Sequence, residues 1–293
     1  MLSWLTTPPI NTNKMVKKEP APSARSMDTS YQDYDDEPKD VFLPLPEQLA
    51  CFFYALEMND YTTDIDFYKT RLPKEGAILE LGCGTGRIAR RLAQSPDRLV
   101  VGIDISLPML RLAKETSNAS QDNPHYLCMD MAELAFVRRF AAILIPYNTL
   151  NLLGTEDKII RCLTGCRNML QPEGRLLVDF FVPNKSFIQQ QKTFQFQIFN
   201  RPGGGKIVKE IRKTYLPRSQ SVQVEERYRV RPMQVGQANE DWHTIFTIAG
   251  FGADRWLALF RKAGLPRTDI FGDYHGTPYE DSLSSTILAI CSL

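Results

Sequence analysis

The feature that most constrains the fold is an alternation of short apolar runs with segments of helical periodicity. Five apolar runs have the length of buried strands: AILEL (77–81), LVVGI (99–103), HYLCM (125–129), AAILI (141–145) and GRLLVDFF (174–181). Between the last two runs, apolar residues such as Ile159 and Leu163 recur at helical spacing. Strands that alternate with helices are typical of a parallel sheet covered by helices. We therefore expect an α/β doubly wound domain with a Rossmann-like sheet.

The end of the chain predicts a different connection. A helix at 253–263 stops at Gly264, and two apolar strands follow near 269–272 and 285–291. The segment that joins these strands holds Gly276 and Pro278 and is too short for a crossover helix. We therefore expect the sheet to close with a final antiparallel hairpin.

Between residues 183 and 240 the apolar period changes to two, and the turns are rich in glycine, proline and serine, which predicts an inserted antiparallel β-sheet. This stretch holds eleven Lys and Arg against four Glu, a local balance of 11 − 4 = +7. Such an excess fits a solvated sheet face, a partner surface or a lid over an anionic substrate. The expected organisation is a disordered tail at 1–40, a domain formed by 41–182 and 241–293, and an inserted sheet at 183–240 that acts as a lid or in association.

Composition excludes several classes of protein. Hydrophobic residues make up 43% and charged residues 24%, as in folded globular chains, and the net charge of +1 lacks the basic excess of a nucleic-acid binder. The six cysteines show no disulfide framework, and the Cys162–Cys166 pair lacks partners for a zinc site. No apolar run approaches the ~20 residues that cross a bilayer. We expect a cytoplasmic protein without a metal, although basic residues in the tail leave organelle targeting as an alternative.

The segment Glu80-Leu81-Gly82-Cys83-Gly84-Thr85-Gly86 follows the first strand of the alternation and opens a helix. Glycines let the backbone pass close to a ligand, and such a turn presents N–H donors beside a helix N-terminus. The spacing differs from the G-x-G-x-x-G of dinucleotide sites, and Glu80 offers a carboxylate to a cationic group. A tight strand-to-helix turn without a ligand is the alternative.

Two further acids follow the next two strands. Asp104 ends the strand at 99–103, 18 residues after Gly86, close to the ~20-residue offset at which an acid meets ribose hydroxyls. Asp130 follows the strand at 125–129 and would lie at the same edge of the sheet, within reach of an adenine amino group. Each acid alone could be a helix cap or a solvent-exposed residue, but three at successive strand ends favour a nucleoside site.

These motifs, with VVGIDISLPML, YLCMDM and GRLLVDFF, resemble the class I S-adenosylmethionine-dependent methyltransferases over about residues 46–293, and in particular a small-molecule N-methyltransferase branch with an inserted sheet. The resemblance implies S-adenosylmethionine as cofactor and a seven-stranded sheet. It implies that Glu80 and the glycine turn hold the methionine moiety, that Asp104 holds the ribose, and that Ile105 and Met131 enclose an adenine whose amino group meets Asp130. The expected cofactor set is Tyr61, Glu80, Gly82, Cys83, Gly84, Gly86, Asp104, Ile105, Met109, Asp130, Met131 and Pro146.

The fourth strand ends in Ile145-Pro146-Tyr147-Asn148, which partly resembles the Asn/Asp-Pro-Pro-Tyr element of adenine and glutamine N-methyltransferases. Leu144 and Ile145 stand where the polar residue and the first proline would be, so nucleobase methylation is not favoured. Pro146 and Tyr147 are still expected to line the pocket beside the cofactor sulfur, because that strand end faces the crevice of the sheet.

Methyl transfer from a sulfonium is a direct displacement, for which positioning alone can supply ~7 to 11 kcal/mol. We expect Tyr54 and Tyr61 to shape the acceptor pocket, and we assign the catalytic roles to Tyr147, Asn148 and His243, with His243 as a candidate base and His275 as the second choice. The sequence predicts a methyltransferase for a small-molecule acceptor, an amine above others, and self-association through the inserted sheet. An O-methyltransferase, a protein-directed methyltransferase and a non-catalytic S-adenosylmethionine-binding partner protein remain alternatives.

Overall fold

The computed structural model describes residues 41–58, 60–117, 123–233 and 238–292, so the tail predicted at 1–40 lies outside the described residues. The strands are β1 Leu43–Pro44, β2 Gly76–Leu81, β3 Arg98–Asp104, β4 His125–Cys128, β5 Phe140–Ile145, β6 Leu170–Phe181, β7 Lys192–Asn200, β8 Gly205–Leu216, β9 Ser221–Pro232, β10 Glu240–Ala249, β11 Arg267–Phe271 and β12 Thr286–Ser292. The helices are α1 Glu47–Met58, α2 Thr63–Arg71, α3 Arg87–Leu92, α4 Leu107–Thr116, α5 Glu156–Met169, α6 Lys185–Gln190 and α7 Ala253–Lys262, with a 3-10 helix at Thr149–Leu153.

Seven strands form the predicted Rossmann-like sheet in the order β11-β12-β6-β5-β2-β3-β4. The strands from β4 to β6 pair in parallel, whereas β12 is antiparallel to both β6 and β11. The predicted α/β fold with a closing antiparallel strand is therefore confirmed. After β2 the chain turns to β3 on one side, while β5 lies on the other, so the crevice between the carboxyl ends of β2 and β5 is the switch point at which such sheets bind ligands.

The sheet is buried on both faces. Neighbouring residues of β2 point to opposite sides, so Ile78 packs in one apolar cluster with Tyr68 and Leu177, while Leu79 packs in a second cluster with Ile143 and α7. Each fully buried aliphatic side chain contributes ~1.5 to 3 kcal/mol. This two-sided burial explains why the strands show continuous apolar runs, and it fixes the strand ends that carry the polar residues.

Five strands form a second sheet in the order β1-β10-β9-β8-β7, which is the predicted insertion. Its extent differs from the prediction, since residues 240–249 form β10 and pair antiparallel with residues 221–230 of β9 along their whole length. The insertion therefore reaches Ala249 instead of ending at 240. Residues 43–44 also join it as a short strand parallel to β10.

The inserted sheet has two different faces. Its inner face carries the odd-numbered residues of β8 and the even-numbered residues of β9 and β10, as the cross-strand register requires. There Tyr228 stacks on Phe53 of α1 with ring centroids 4.5 Å apart, and Tyr215 packs beside Phe187 of α6. The inner face is thus the one that covers the seven-stranded domain.

The outer face carries many of the basic residues that produce the local charge of +7. Arginines of neighbouring strands pair there with acids: Arg212 with Glu225 at 3.2 Å, Arg229 with Glu210 at 2.8 Å, and Arg231 with Asp241. Exposed pairs of this kind contribute ~0 to 1 kcal/mol each. These arginines therefore behave as a solvated sheet face with its own counter-charges.

Helix α1 lies between the two sheets and contacts both. Its Glu57 forms an ion pair with Lys209 of the inner face at 2.7 Å. Its Glu47 accepts a hydrogen bond from the Ser106 hydroxyl, beside the end of β3, at 2.7 Å. The insertion and the switch-point crevice are therefore connected through one helix. Among the helices that the described residues form, none has the length and apolar character needed to cross a membrane.

Candidate functional site

The glycine turn between β2 and α3 forms the floor of the crevice, and its glycines are required by sterics. Gly82 and Gly86 have φ of 65° and 74°, and an added Cβ would lie 2.2 Å from Thr149 or from the Tyr126 hydroxyl, respectively. Left-handed backbone and this lack of space together exclude larger residues. The predicted turn is present, and it sits at the carboxyl end of the central strand.

Glu80, the last residue but one of β2, is buried beneath this turn at 2% exposure. One of its oxygens accepts the Ala89 N–H, whereas Oε2 has no hydrogen-bond partner among the described residues. Burial raises the pKa of this carboxyl to about 8. A buried acceptor without a partner is costly unless a ligand satisfies it, and an ammonium group is the ligand that would keep Glu80 ionised.

Asp104 closes the neighbouring strand, and its carboxylate organises the crevice. Oδ2 accepts the Gly84 N–H at 2.8 Å, and Oδ1 accepts the Ser106 N–H at 2.9 Å. Each carboxylate oxygen has a second lone pair, so both retain capacity for hydroxyl donors. The half-buried Asp104 thus fits the predicted ribose role while also holding the glycine turn against β3.

The predicted adenine residues lie at the same edge of the sheet. Ile105, directly after Asp104, is 71% exposed although it is a large apolar residue, and Met131 is half-buried against the core. Asp130 is exposed, and its Oδ1 accepts the Ala132 N–H at 2.8 Å. Met109 is half-buried in the first turn of α4. The register between β3 and β4 brings these groups to one edge, and their contact with an adenine stays a prediction.

Cys83 is held in the turn by its backbone and by its buried side chain. Its Sγ packs beneath the turn against Gly102 of β3, where an added Cβ would lie 2.9 Å from the sulfur. Its N–H donates to Ile103, and its carbonyl accepts the Gly86 N–H, both at 2.9 Å. Burial raises the pKa of this thiol. Cys83 thus helps to shape the turn, and its predicted contact with a cofactor stays a prediction.

Three tyrosines meet above the turn. The Tyr147 ring lies edge-on to Tyr54 and Tyr61, with centroids 6.4 and 5.8 Å away. Burial raises the pKa of Tyr54 and Tyr147, so these phenols stay neutral at physiological pH. Tyr54, which comes from α1, also lies next to Gly84. The tyrosine cluster, as we call these three residues, therefore presents aromatic surface and neutral hydroxyls to the crevice.

Tyr61 is fixed in this cluster by an ion pair that the sequence did not predict. Arg87, the first residue of α3, forms a bidentate pair with buried Asp64 at 2.7 and 2.5 Å. The same guanidinium donates to the Tyr61 carbonyl at 2.9 Å. A bidentate pair of this type is rigid, so the start of α2 is tied directly to the glycine turn.

A second group missed by sequence reasoning is Asp179, a fully buried carboxylate in β6. Oδ2 accepts the Tyr68 hydroxyl at 2.5 Å, the Tyr147 N–H at 2.8 Å and the Tyr274 hydroxyl at 2.9 Å. Oδ1 accepts the Asn148 N–H at 2.7 Å. Burial raises the pKa of Asp179 while these four donors oppose the shift. A carboxylate within an apolar strand was the available sequence signal.

Asp179 holds a turn of unusual backbone. Tyr147 and Asn148 both have φ of 58°, a left-handed conformation that costs a non-glycine residue ~1 to 2 kcal/mol. The turn leaves the side-chain Oδ1 of Asn148 buried and without a hydrogen-bond partner in the described part of the chain. Pro146, before the turn, is buried, and its carbonyl accepts from Thr149. The predicted group Pro146, Tyr147 and Asn148 is thus brought to the crevice under strain.

The histidines do not join this site. His243, predicted as a base, lies in β10 between inner-face Trp242 and Thr244, so the strand alternation places it on the outer face, opposite Arg227. His125 begins β4, at the far edge of the seven-stranded sheet, and His275 is exposed in the loop before β12. The role predicted for His243 is therefore corrected, because its side chain points away from the crevice.

Comparison with known proteins gives a consistent result. Residues 78–174 match the family described as "Methyltransferase domain". The chain is 40% identical over 109 residues, 37% of its length, to the Bacillus subtilis (strain 168) protein YqeM, named as a methyltransferase, of which the match covers 43%. The chain spans about half the length of the curated relatives it matches.

Two solved structures of methyltransferases have a similar fold. One is the sugar N-methyltransferase KedS8 from Streptoalloteichus sp ATCC 53650, with a TM-score of 0.66, 16% identity, and coverage of 92% of this chain and 100% of that one. The other is the amino pentose methyltransferase CalS10 from Micromonospora echinaspora with bound S-adenosylmethionine, with a TM-score of 0.62, 16% identity, and coverage of 88% and 100%. At this identity the likeness establishes the fold.

Proposed function

We propose that this chain, which contains a class I methyltransferase domain, transfers a methyl group from S-adenosylmethionine to the nitrogen of a small-molecule amine. The observation that carries the proposal is the cluster of three neutral tyrosines at the switch point, to which the strained turn contributes Tyr147. Around this turn the crevice holds the acids and glycines that suit a cationic nucleoside.

The residues present fit S-adenosylmethionine. Glu80 has a buried oxygen that lacks a partner and suits the methionine ammonium group, and Asp104 has free lone pairs at the position suited to ribose hydroxyls. The glycine turn leaves the backbone open to close approach. When bound, S-adenosylmethionine supplies an activated methyl group on a sulfonium. Glu80 and the tyrosine cluster favour a cationic ligand by charge and by aromatic surface.

The acceptor is an amine because neither the two most buried tyrosines nor His243 supplies a base to the site. Tyr54 and Tyr147 keep their protons, since burial raises their pKa, and His243 faces away from the crevice. A neutral amine brings its own lone pair, whereas a hydroxyl of ordinary pKa needs a proton acceptor. Asn148 follows Tyr147 in the same turn and is the residue proposed to orient the nitrogen through its side-chain amide. The likeness to a sugar N-methyltransferase supports the same acceptor class.

The test is turnover with methyl-labelled S-adenosylmethionine and a cell metabolite extract, followed by mass spectrometry of the labelled products. We expect label in small molecules that gain a methyl group on nitrogen. Asp104→Ala should abolish the signal, while Asp269→Ala, which removes an exposed acid of β11, should retain it. Label confined to protein would favour a protein-directed enzyme, and O-methyl products an O-methyltransferase. Tight cofactor binding without any transfer would favour the non-catalytic partner protein.

The inserted sheet is proposed to mediate self-association as well. β7 is its edge strand, and Phe194, Phe196 and Ile198 on the outer face are 58%, 64% and 55% exposed. A long edge strand with exposed apolar side chains favours pairing with another chain. A second copy of this protein is the partner we propose, which would leave the inner face free to cover the acceptor.

A further inference from the structure

A cavity of about 260 Å³ lies at the far end of the inner face, between β7, β8 and the carboxyl end of β6. Two phenylalanines, Phe181 and Phe187, form its apolar walls, and six residues with hydroxyl or amide side chains supply hydrogen-bonding groups. Lys213 is its one charged residue, and no carboxylate contributes to the lining that the described residues provide. The cavity therefore combines donors and a cation with an apolar surface.

Lys213 has no counter-charge. Its ammonium lies over the Phe181 ring, 5.4 Å from the centroid, and within the described ranges no carboxylate comes within ion-pair distance of it. Burial lowers the pKa of Lys213, with Glu226 opposing the shift and the charge of Lys209 adding to it. A half-buried cation of this kind is stabilised when an anion enters the cavity.

Lys209, four residues earlier on the same face, shows the opposite arrangement. It pairs with Glu57 at 2.7 Å and with Glu226 at 2.9 Å, and these charges raise its pKa. Glu226 also accepts the Tyr228 hydroxyl at 3.1 Å. The nearby carboxylates are thus engaged with Lys209, and Lys213 remains available to a ligand.

The cavity and the tyrosine cluster are linked through the inner face of the inserted sheet and through β6. Tyr228 lies close enough to Tyr147 for the two phenols to interact electrostatically, and Tyr228 is the direct cross-strand neighbour of Lys209. On the side of the domain, Phe181 follows two residues after Asp179, which binds the Tyr147 N–H. Two residues of extended strand span ~7 Å, so the wall of the cavity begins close to the residue that binds the Tyr147 N–H.

From this geometry we infer that the cavity at Lys213 binds an anionic group of the methyl acceptor, a carboxylate or a phosphate at the end remote from the methylated nitrogen. This inference deepens the proposed function and rests on it for the identity of the acceptor. Lys213 pairs with the anion, the hydroxyl and amide groups donate to it, and the two phenylalanines hold the adjoining apolar part. Lys213 is in this sense a specificity residue of the same site.

The experiment measures binding of two probe molecules, phenyl phosphate and uncharged benzyl alcohol, to the full chain saturated with S-adenosylhomocysteine. Calorimetry should show that phenyl phosphate binds and that Lys213→Met weakens its Kd at least tenfold, while Lys213→Arg stays within about threefold of the wild type, because the cation is kept. Lys206→Met is the matched control, since Lys206 is an exposed residue of the same strand on the opposite face, and it should leave the Kd unchanged. Unchanged affinity for S-adenosylhomocysteine in each variant reports that the domain is folded.

Turnover separates this inference from the proposed function. With an acceptor found in the metabolite extract, Lys213→Met should raise KM at least tenfold and leave kcat nearly constant, as expected for a group that binds away from the reacting atoms. Phenyl phosphate affinity that is equal in wild type and Lys213→Met, or equal binding of benzyl alcohol, would overturn the inference. If phenyl phosphate binding depends on Lys213 but the protein transfers no methyl group, the anion site is supported and only the proposed methyltransferase function is rejected.

Discussion

Replacing Asp179 with asparagine tests how the strained turn is held. The carboxylate accepts four donors, and an amide of the same shape must turn its NH2 toward one of them. If the amide oxygen keeps the three donors at Oδ2, the Asn148 N–H faces another donor and is left unsatisfied, at a cost of ~1 to 3 kcal/mol. The other three bonds also lose charge assistance. Relief of carboxylate burial offsets part of the cost, so we expect Asp179→Asn to lower the free energy of unfolding by about 2 kcal/mol.

The consequence for catalysis follows from the backbone strain. Two residues in left-handed backbone carry ~2 to 4 kcal/mol together, and without the Asn148 bond the turn can relax and move Tyr147. We expect kcat to fall about 10- to 100-fold and the Kd for S-adenosylmethionine to change little, because Glu80 and Asp104 lie on other strands. The assays are thermal denaturation, with a decrease of about 4 to 8 °C in Tm, cofactor calorimetry and single-turnover kinetics.

The matched control is Tyr68→Phe, which removes one hydroxyl donor to Asp179 and leaves both backbone bonds of the turn intact. It should cost ~0.5 to 1.5 kcal/mol and preserve kcat. Wild-type kcat in Asp179→Asn, or an equal loss in both variants, would refute the reasoning. The pKa of Asp179 is raised in the folded state, so its contribution to stability is greatest at low pH and is lost as pH rises through that pKa. Asp179→Asn should remove this part of the pH dependence.

Three further predictions concern the cofactor and the insertion. The affinity for S-adenosylmethionine should rise about tenfold per pH unit toward pH 8, because Glu80, with a pKa of about 8, must lose its proton to face an ammonium group; calorimetry from pH 6 to 8 should show this slope, and Glu80→Gln should flatten it. Asp104→Ala should weaken the affinity for S-adenosylmethionine by ~1.5 to 3 kcal/mol, and unaltered binding would contradict the assignment of Asp104 to the ribose. The double variant Phe194→Ser and Phe196→Ser should reduce the mass measured by light scattering to that of one chain. The control Ile188→Ser, at an exposed apolar residue of α6, should leave the mass unchanged. An unchanged mass in the double variant would mean that any self-association uses another surface.

The parts of the site that the sequence predicted depend on local chemistry. The glycine turn needs left-handed backbone at Gly82 and Gly86, and the acids Glu80, Asp104 and Asp130 lie at or just beyond the carboxyl ends of β2, β3 and β4. Strand ends in a parallel sheet meet at one edge, so their order along the chain was enough to bring them together. The parallel sheet was predictable from the alternation of strands and helices, and its antiparallel closure from the short connection before the last strand.

The parts that were missed depend on contacts between distant residues. Asp179 meets Tyr68 across 111 residues and Asn148 across 31, and no local pattern in β6 indicates those partners. The position of His243 was different, since the alternation of Trp242, Thr244, Phe246 and Ile248 could have placed it on the outer face. An insertion that ends at residue 240 leaves out β10, and it is the alternation within β10 that sets the direction of the His243 side chain.

Helix α1 has a consequence for the binding of the two substrates. It touches the glycine turn through Tyr54, the end of β3 through Glu47, and the inserted sheet through Phe53 and Glu57. Any movement of α1 that opens the site for one substrate must also displace α1 residues that border the binding region of the other. Affinities linked in this way are reciprocal: if occupation of the nucleoside crevice tightens acceptor binding by some factor, acceptor binding tightens nucleoside binding by the same factor. Under the proposed function, the methyl acceptor and the nucleoside are therefore expected to change each other's Kd equally, and substitutions in α1 should change both.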